Sequence, residues 1–380
     1  MVRLVITGGG TGGHIYPALA IADGIMGRWP GTEIFYIGAK AAMESNIVPQ
    51  AGYPFRGITA EGWQGRKLLN LAHALNASHK GMREALAILS GLQPEAVIGT
   101  GGFVCLPVAL AAAQKRIPIY IHEQNALPGM TNRFIASMAK GIRVSFEEAA
   151  ARFPRLFRHK VSATGLPVRA SIAAAQRKEA LDFFRLKEGQ VTILTTGGSQ
   201  GALRINQAML HVIKAWHNKK GVQIIFNTGR RDYPQMAEVL AAAGIAWEGG
   251  QDEESFSNVR MLPYIDRMDM AYAAADVFVG RAGASTMAEI SLCGLPALLI
   301  PLPHAAENHQ AYNAASLVNK GGAVLIEDRK LTGLSLLEAL EDLASDEQKR
   351  RFMAERSRGA SYGRALDNIL DVLAEAMEPA

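Results

Sequence analysis

The 380-residue sequence is poor in cysteine and lacks a long uninterrupted apolar run. Its two cysteines, Cys105 and Cys293, each lie within an apolar stretch, so we expect buried thiols in a reducing compartment rather than a disulfide or a metal pair. A membrane-spanning helix needs about 20 apolar residues in succession. The longest apolar stretch, residues 97–113, is interrupted by three glycines and a proline, which excludes it as a span. We therefore expect a cytosolic globular protein.

Charge is distributed unevenly along the chain. Residues 1–165 contain 17 Lys and Arg against 9 Asp and Glu, a net charge of +8, and the remainder has 40 − 17 = 23 basic and 35 − 9 = 26 acidic residues, a net charge of −3. A basic half is typical of proteins that meet nucleic acid, an anionic membrane surface or an anionic substrate. An uneven solvated surface without a partner remains an alternative.

Two glycine-rich turns, residues 7–14 and 195–202, each follow an apolar run and open a helix-forming stretch. Such turns place backbone N–H groups at the positive end of a helix, where a phosphate or diphosphate binds. Short apolar runs alternate with helical stretches through both halves, which is typical of parallel sheets covered on both faces. The sequence thus predicts an α/β fold of two doubly wound, Rossmann-like domains joined near residues 165–167. The predicted strands are 2–7, 33–38, 96–100, 118–122, 141–146 and 161–165, then 191–196, 223–228, 259–262, 276–280, 297–301 and 323–326.

The first turn matches the dinucleotide-binding pattern but lacks two features of the common nucleotide sites. A redox cofactor needs an acidic residue after the second strand, where residues 37–40 offer none, and an ATPase loop needs Lys followed by Ser or Thr, where this chain has His14. A histidine in the first turn of a helix is favoured as the neutral imidazole by the helix dipole and is suited to act as a general base. Alternatively, His14 only caps the loop.

The second half carries two further clusters after predicted strands. In residues 281–289, Ser285 and Thr286 are placed to face phosphates, and Glu289 is placed to accept hydrogen bonds from ribose hydroxyls. The alternative is that Ser285 or Thr286 serves as an N-cap and Glu289 as a favourable first-turn charge. Residues 301–310 offer amide and imidazole groups suited to sugar hydroxyls. The spacing of His304 and His309 gives only weak support for a metal site there.

Five motifs together resemble the lipid-linked N-acetylglucosaminyltransferases of peptidoglycan synthesis, in the same order along most of the chain. They are residues 9–14 (GGTGGH), 122–125 (HEQN), 197–202 (GGSQGA), 281–289 (RxGAxTxxE) and His304 with His309-Gln310. The resemblance implies a GT-B fold, with two Rossmann-like domains facing a central cleft. It also implies inverting transfer of N-acetylglucosamine from UDP-N-acetylglucosamine to the C4 hydroxyl of undecaprenyl-pyrophosphoryl-N-acetylmuramyl-pentapeptide (lipid I), which yields lipid II.

The same resemblance implies roles for individual residues. His14 would be the catalytic base, the glycine turn would approach the donor sugar or the acceptor diphosphate, and Asn125 would touch the N-acetylglucosamine. In the second half, Arg169 and Ser199 would neutralise the diphosphate and Ile265 would bind uracil through its backbone. The implied substrate-binding residues are Thr11, Gly12, Gly13, Asn125, Arg169, Ser199, Ile265, Ala284, Ser285, Thr286, Met287, Ala288, Glu289 and Gln310. Two positions depart from the family: Leu166 stands where Asn is usual, and Ala282 where Ser is common.

The resemblance also assigns the domains. Residues 1–165, joined by a C-terminal helix of about 350–380, would bind lipid I and associate with the membrane, and 166–349 would bind the UDP donor. No cofactor is expected, and the absence of an Asp-x-Asp motif argues against an obligatory metal.

A membrane-binding surface is expected in the first half, at Trp63, Arg66 and Lys67. These residues precede an apolar stripe at helical spacing and would meet anionic lipid at the cytoplasmic face of the inner membrane. No role for nucleic acid is expected. Alternatively, the apolar stripe packs against its own domain. Two alternative functions remain. The chain could be another GT-B enzyme, such as a UDP-N-acetylglucosamine 2-epimerase, or a non-catalytic protein that binds a nucleotide sugar.

Overall fold

The structure is a computed structural model that describes residues 2–62, 68–197, 202–247, 257–303 and 305–377. The chain divides into two compact units, Met1–Val168 with Tyr362–Ala380, and Arg169–Ser361. The first boundary lies within a few residues of the expected joint. The return to the first unit begins at Tyr362, later than the expected residue 350, because helix Glu347–Arg358 belongs to the second unit and buries Met353 in its core.

Each unit is built on one parallel sheet. The first unit has the strand order β3-β2-β1-β4-β5-β6-β7 and the second β10-β9-β8-β11-β12-β13, so the order reverses between β1 and β4 and between β8 and β11. The strands are β1 Arg3–Thr7, β2 Glu33–Ala39, β3 Phe55–Ile58, β4 Ala96–Gly99, β5 Ile119–Glu123, β6 Gly141–Val144, β7 Val161–Ala163, β8 Val191–Thr196, β9 Val222–Asn227, β10 Val259–Leu262, β11 Val277–Gly280, β12 Ala297–Leu299 and β13 Ala323–Leu325.

Helices connect these strands, and three short 3₁₀ segments lie at Arg155–Lys160, Ala306–Asn308 and Asp328–Lys330. None of the helices described is long and apolar enough to cross a bilayer. The helices are α1 Gly12–Arg28, α2 Glu44–Gln50, α3 Leu68–Leu92, α4 Cys105–Gln114, α5 Met130–Ile135, α6 Glu147–Ala150, α7 Ala170–Ala174, α8 Arg177–Phe183, α9 Leu203–Trp216, α10 Tyr233–Ala242, α11 Met268–Ala274, α12 Ala284–Cys293, α13 His309–Asn319, α14 Gly333–Ser345, α15 Glu347–Arg358 and α16 Ala365–Met377.

The predicted α/β class and all twelve predicted strands are confirmed, with small shifts at their ends. The first unit has one strand more than the sequence predicts, and this additional strand is β3. Its segment contains Arg56 and Gly57, it lies at the sheet edge, and Ile58 is its one fully buried residue, so it carries little of the apolar pattern that marks the central strands. Of the two thiols, Cys105 is buried as expected and Cys293 is half-buried; neither forms a disulfide.

The last helix completes the core of the first unit. Ile369, Leu370 and Leu373 of α16 join Ile21 and Ile25 of α1 in one buried apolar cluster. The close packing requires Gly24, since a Cβ atom there would lie 2.6 Å from the Leu366 side chain. Arg28 and Asp371 form an ion pair at the edge of this contact.

Helix α3 confirms the helical spacing seen in the sequence. In its second half Ala85 and Leu89 are buried in the first unit's core, and Lys80 and Arg83 are exposed. This half of the apolar stripe therefore packs on its own unit. Trp63, Arg66 and Lys67 lie outside the described residues, as do the side chains of the first turns of α3.

Candidate active site

In the first unit, the candidate residues lie where the order of strands reverses. The turns after β1 and β4 meet there, because the Gly9 amide donates to the Gly101 carbonyl at 3.2 Å and the Thr100 hydroxyl donates to the His14 carbonyl at 2.8 Å. Gly102 has φ +88°, and a Cβ atom on it would lie 2.1 Å from the Gly9 carbonyl oxygen. A side chain at this position would separate the two turns, which explains the need for glycine there.

His14 lies in the first turn of α1 and is held by the turn that precedes it. Its Nδ1 is 3.1 Å from the Gly9 carbonyl oxygen and 3.2 Å from the Thr11 hydroxyl. Since a carbonyl oxygen can only accept, a hydrogen bond to Gly9 requires the proton on Nδ1 and makes Nε2 the basic nitrogen. The ring lies over Gly101, where a Cβ atom would come within 3.0 Å of it. His14 thus has a defined orientation, as a general base requires.

The first glycine turn offers fewer amides to a ligand than its sequence suggests. The Gly9 amide is taken by Gly101, and the Gly10 amide donates to the Oε2 atom of Glu44 at 3.1 Å. Within the described ranges we find no acceptor in the protein for the amides of Thr11, Gly12 and Gly13, which begin α1. These three amides are available to a ligand oxygen at the start of α1.

The loop after β5 is organised by a buried carboxylate. Glu123 accepts from the Asn125 amide at 2.9 Å, the Gly129 amide at 3.0 Å and the Asn132 side chain at 2.8 Å. Burial raises the pKa of Glu123, and these hydrogen bonds act against that rise. The side-chain nitrogen of Asn125 is 3.3 Å from the same carboxylate, so its orientation is fixed by Glu123.

His122 is held inside the first unit. Its Nε2 donates to the Gly165 carbonyl at 2.9 Å and its Nδ1 accepts from Gln124 at 3.2 Å. Burial lowers the pKa of His122 to about 4, so the ring is neutral near pH 7. Both nitrogens are used within the protein, which gives His122 a structural role.

In the second unit, the turn between β11 and α12 is open. Gly283 is the N-cap of α12, and a Cβ atom on it would have only the Thr286 hydroxyl within 4 Å. The alternative in which Ser285 or Thr286 caps the helix is therefore wrong, and Glu289 lies beyond the first turn. The side chain of Met287 is buried and its amide donates to the Gly283 carbonyl at 2.9 Å, so both are engaged within the protein.

Glu289 is half-buried and has a partner on another helix. Tyr272 of α11 donates its hydroxyl to Glu289 Oε2 at 2.8 Å. Burial raises the pKa of Glu289, while this hydrogen bond and the charge of Arg169 act to lower it. Arg169 is exposed at the N-cap of α7, and its positive charge acts on the Glu289 carboxylate.

The remaining second-unit candidates differ in what they offer. Arg281 forms an ion pair with Asp328 at 2.7 Å and donates to two backbone carbonyls, so it supports the loops rather than a ligand. Gln310 accepts from the Leu302 amide at 2.9 Å and so orders the loop after β12.

The structure places one of the remaining candidates and leaves two undescribed. Ile265 is buried in the loop after β10. Ser199 and His304 lie outside the described residues.

Two residues with clear positions in these sites are absent from the sequence analysis. Glu44 supports the first turn from helix α2, and Tyr272 supports Glu289 from α11. Neither belongs to a local motif, although an acidic residue opening a helix and a tyrosine in an alanine-rich stretch are visible in the sequence. Across the part of the chain that the structure describes, no group of His, Cys, Asp or Glu could hold a metal ion.

Two family models match the chain. Residues 4–144 match the glycosyltransferase family 28 N-terminal domain and residues 192–369 match the glycosyltransferase family 28 C-terminal domain. Each match falls within one of the two units, except that the second runs into α16.

Comparison with individual proteins gives the same result. The chain is 44% identical over 97% of its length, and 97% of the relative's, to the UDP-N-acetylglucosamine--N-acetylmuramyl-(pentapeptide) pyrophosphoryl-undecaprenol N-acetylglucosamine transferase of Desulforamulus reducens. The crystal structure of Acinetobacter baumannii MurG is similar with a TM-score of 0.78 and 26% identity, covering 99% of this chain and 100% of that one. A putative UDP-N-acetylglucosamine 2-epimerase from Listeria monocytogenes, with a TM-score of 0.68 and 13% identity over 100% and 98% of the two chains, shares the fold.

Proposed function

The chain belongs to the family of UDP-N-acetylglucosamine–N-acetylmuramyl-(pentapeptide) pyrophosphoryl-undecaprenol N-acetylglucosamine transferases, and from this membership we propose that it converts lipid I to lipid II. The observation that carries the proposal is 44% identity along almost the whole of both chains. N-acetylglucosamine would pass from its UDP carrier to the C4 hydroxyl of the N-acetylmuramyl residue, with inversion at the anomeric carbon.

His14 is the proposed base for this displacement. As the acceptor oxygen bonds to the anomeric carbon, its proton passes to Nε2 of His14, and the bond from that carbon to the diphosphate breaks with its electron pair leaving on UDP. The Nδ1 hydrogen bond to Gly9 supports this role, because it leaves Nε2 as the basic nitrogen. Base catalysis of this kind contributes roughly 100- to 10,000-fold.

The second unit is proposed to hold the donor. The amide groups that open α12 at Ala284, Ser285 and Thr286, together with Arg169 and Ser199, would stabilise the negative charge that develops on the departing diphosphate. Glu289 would accept hydrogen bonds from ribose hydroxyls, and the Ile265 backbone would bind uracil. The openness of the turn before α12 and the charge of Arg169 near Glu289 support this assignment.

Sugar recognition is assigned to groups in both units. Asn125 and Gln310 would contact the N-acetylglucosamine, and Thr11, Gly12 and Gly13 would face the donor sugar or the acceptor diphosphate. The orientation of Asn125 by Glu123 supports a precise polar contact, because a buried hydrogen-bonded carboxylate limits the rotation of its partner.

The first unit is proposed to associate peripherally with the anionic cytoplasmic face of the inner membrane, where a lipid-linked acceptor resides. The exposed Lys80 and Arg83 on α3 support a basic surface in this region. Trp63, Arg66 and Lys67 would extend it. No cofactor and no nucleic acid takes part in this proposal.

A transfer assay tests the function directly. Radiolabelled N-acetylglucosamine would be supplied as its UDP donor together with a short-chain lipid I analogue, and labelled lipid and released UDP would be measured in parallel. We expect labelled lipid only when both substrates are present. UDP release without labelled lipid, or conversion of the donor sugar to its 2-epimer, would refute the proposal in favour of a different reaction on the same fold.

A further inference from the structure

A single peptide group connects His14 to a buried carboxylate. The carbonyl oxygen of the Gly9–Gly10 peptide accepts from His14 Nδ1 at 3.1 Å, and the N–H of the same peptide donates to Glu44 Oε2 at 3.1 Å. The other carboxylate oxygen of Glu44 accepts from the Ala39 amide at 3.1 Å. The three groups thus form a continuous hydrogen-bonded series from carboxylate through peptide to imidazole.

The carboxylate is enclosed where it can act on this peptide. Glu44 has no exposed surface, and among the residues described no Lys or Arg forms an ion pair with it. A Cβ atom at Gly9 would lie 2.1 Å from Glu44 Oε1, and one at Gly38 would lie 2.6 Å from its Cγ. Two glycines therefore leave the space that the carboxylate fills, and its negative charge is stabilised by backbone N–H groups rather than by a cation.

Hydrogen bonds in series polarise one another, more strongly where the dielectric constant is low. A carboxylate that accepts from the peptide N–H increases the negative charge on the peptide oxygen, which strengthens the bond from Nδ1–H. Where a carboxylate accepts directly from a catalytic histidine, it fixes the tautomer and stabilises the imidazolium formed on proton uptake. The Gly9–Gly10 peptide places the same chemistry one group further from the ring.

We propose that Glu44 is a positioning residue for His14 and acts through the Gly9–Gly10 peptide. It holds the ring as the Nδ1–H tautomer and stabilises the positive charge that arises when Nε2 accepts a proton. No proton reaches Glu44, since the peptide keeps its own. The statement about the tautomer depends on the geometry alone, and the statement about proton uptake rests on the proposed function.

The tautomer can be measured without substrate. Nitrogen NMR of protein labelled at the imidazole rings, with His14 identified by comparison with a His14→Gln variant among the nine histidines, distinguishes Nδ1–H from Nε2–H. We expect the neutral His14 ring to be Nδ1–H in the wild-type protein. A ring that is predominantly Nε2–H would overturn the proposal without any variant at Glu44.

A matched pair of variants tests the contribution of Glu44. Glu44→Gln has one acceptor oxygen for the two amides of Gly10 and Ala39, so we expect mixed tautomers of His14. We also expect a roughly 10- to 100-fold loss of kcat, as for other lost supporting hydrogen bonds to functional histidines, with the KM for UDP-N-acetylglucosamine within about twofold. Tyr36→Phe removes a 2.7 Å bond to the neighbouring Gly8 carbonyl and is expected to leave the tautomer unchanged.

The outcomes separate this proposal from the proposed function. A wild-type tautomer that persists in Glu44→Gln, or one lost equally in Tyr36→Phe, would overturn the role of Glu44. If Glu44→Gln does not fold, a predominantly Nε2–H ring in the wild-type protein would still overturn the proposal. An Nδ1–H ring that depends on Glu44 in a protein that shows no transfer activity would instead retain this arrangement and refute the transferase function.

Discussion

The hydrogen bond from Tyr272 to Glu289 gives a stability prediction that can be worked from the structure. Tyr272 is buried, and its hydroxyl lies 2.8 Å from a carboxylate oxygen of the half-buried Glu289. Tyr272→Phe keeps the ring and removes only the hydroxyl, so the loss is mainly that of one hydrogen bond to a charged group, about 1.5–3 kcal/mol. A unit of 361 − 169 + 1 = 193 residues shifts its Tm by roughly 2–4 °C for each kcal/mol, so the variant should melt roughly 3–12 °C lower.

The pH dependence of this loss has a definite sign. The Tyr272 hydrogen bond acts to lower the pKa of Glu289, so its removal raises the folded-state pKa of Glu289 further above the unfolded value. The difference between wild type and variant is therefore largest above both folded pKa values and shrinks as acidification protonates the carboxyl. Calorimetric melting at several pH values measures both effects.

Tyr53→Phe provides a matched control for Tyr272→Phe. Tyr53 donates to Asp23 at 2.6 Å at an exposed position, where the loss should be under about 1 kcal/mol. The reasoning would fail if Tyr272→Phe melted within 1 °C of wild type near pH 8, or if its deficit were the same at every pH. In the transferase assay the variant should also raise the KM for UDP-N-acetylglucosamine more than it lowers kcat, because Glu289 would lose its fixed orientation.

Three further predictions concern the first unit. His14→Ala should lower kcat at least about 100-fold while UDP binding by calorimetry stays unchanged, and near-normal turnover would remove His14 from the mechanism. Gly102→Ala should lower the Tm and the activity, because its Cβ atom would lie 2.1 Å from the Gly9 carbonyl, whereas Gly27→Ala, with nothing within 4 Å, should not; equal melting of both variants would contradict the close approach. A Trp63→Ala, Lys67→Glu variant should lose binding to vesicles that contain anionic lipid, and unchanged binding would show that this is not the membrane surface.

Much of the fold could be predicted because apolar strands and glycine turns are local signals. The edge strand β3 could not be predicted, since Arg56 and Gly57 interrupt its apolar pattern. Helix α15 could not be assigned to a unit, since its charged sequence does not indicate which core buries Met353. Each of these depends on a neighbour that is distant in the chain.

The candidate sites show the same division. The sequence predicts His14 and Glu289 because each follows a strand and a turn of small residues. It does not predict that Glu44, 34 residues from Gly10, would take one of the turn's amides, or that Tyr272 would reach Glu289 from another helix. Hydrogen bonds between elements that are separate in sequence decide which groups of a motif face a ligand, and a motif alone does not contain them.

The packing of α16 against α1 has a consequence for biosynthesis. Ile21 and Ile25 leave the ribosome before any residue of the second unit, whereas Ile369 and Leu373, which share their cluster, leave after all of it. Because synthesis proceeds from the amino terminus at about 5–20 residues per second, this apolar surface stays uncovered for tens of seconds while the whole second unit is made. The first core can thus close only after α16 has left the ribosome.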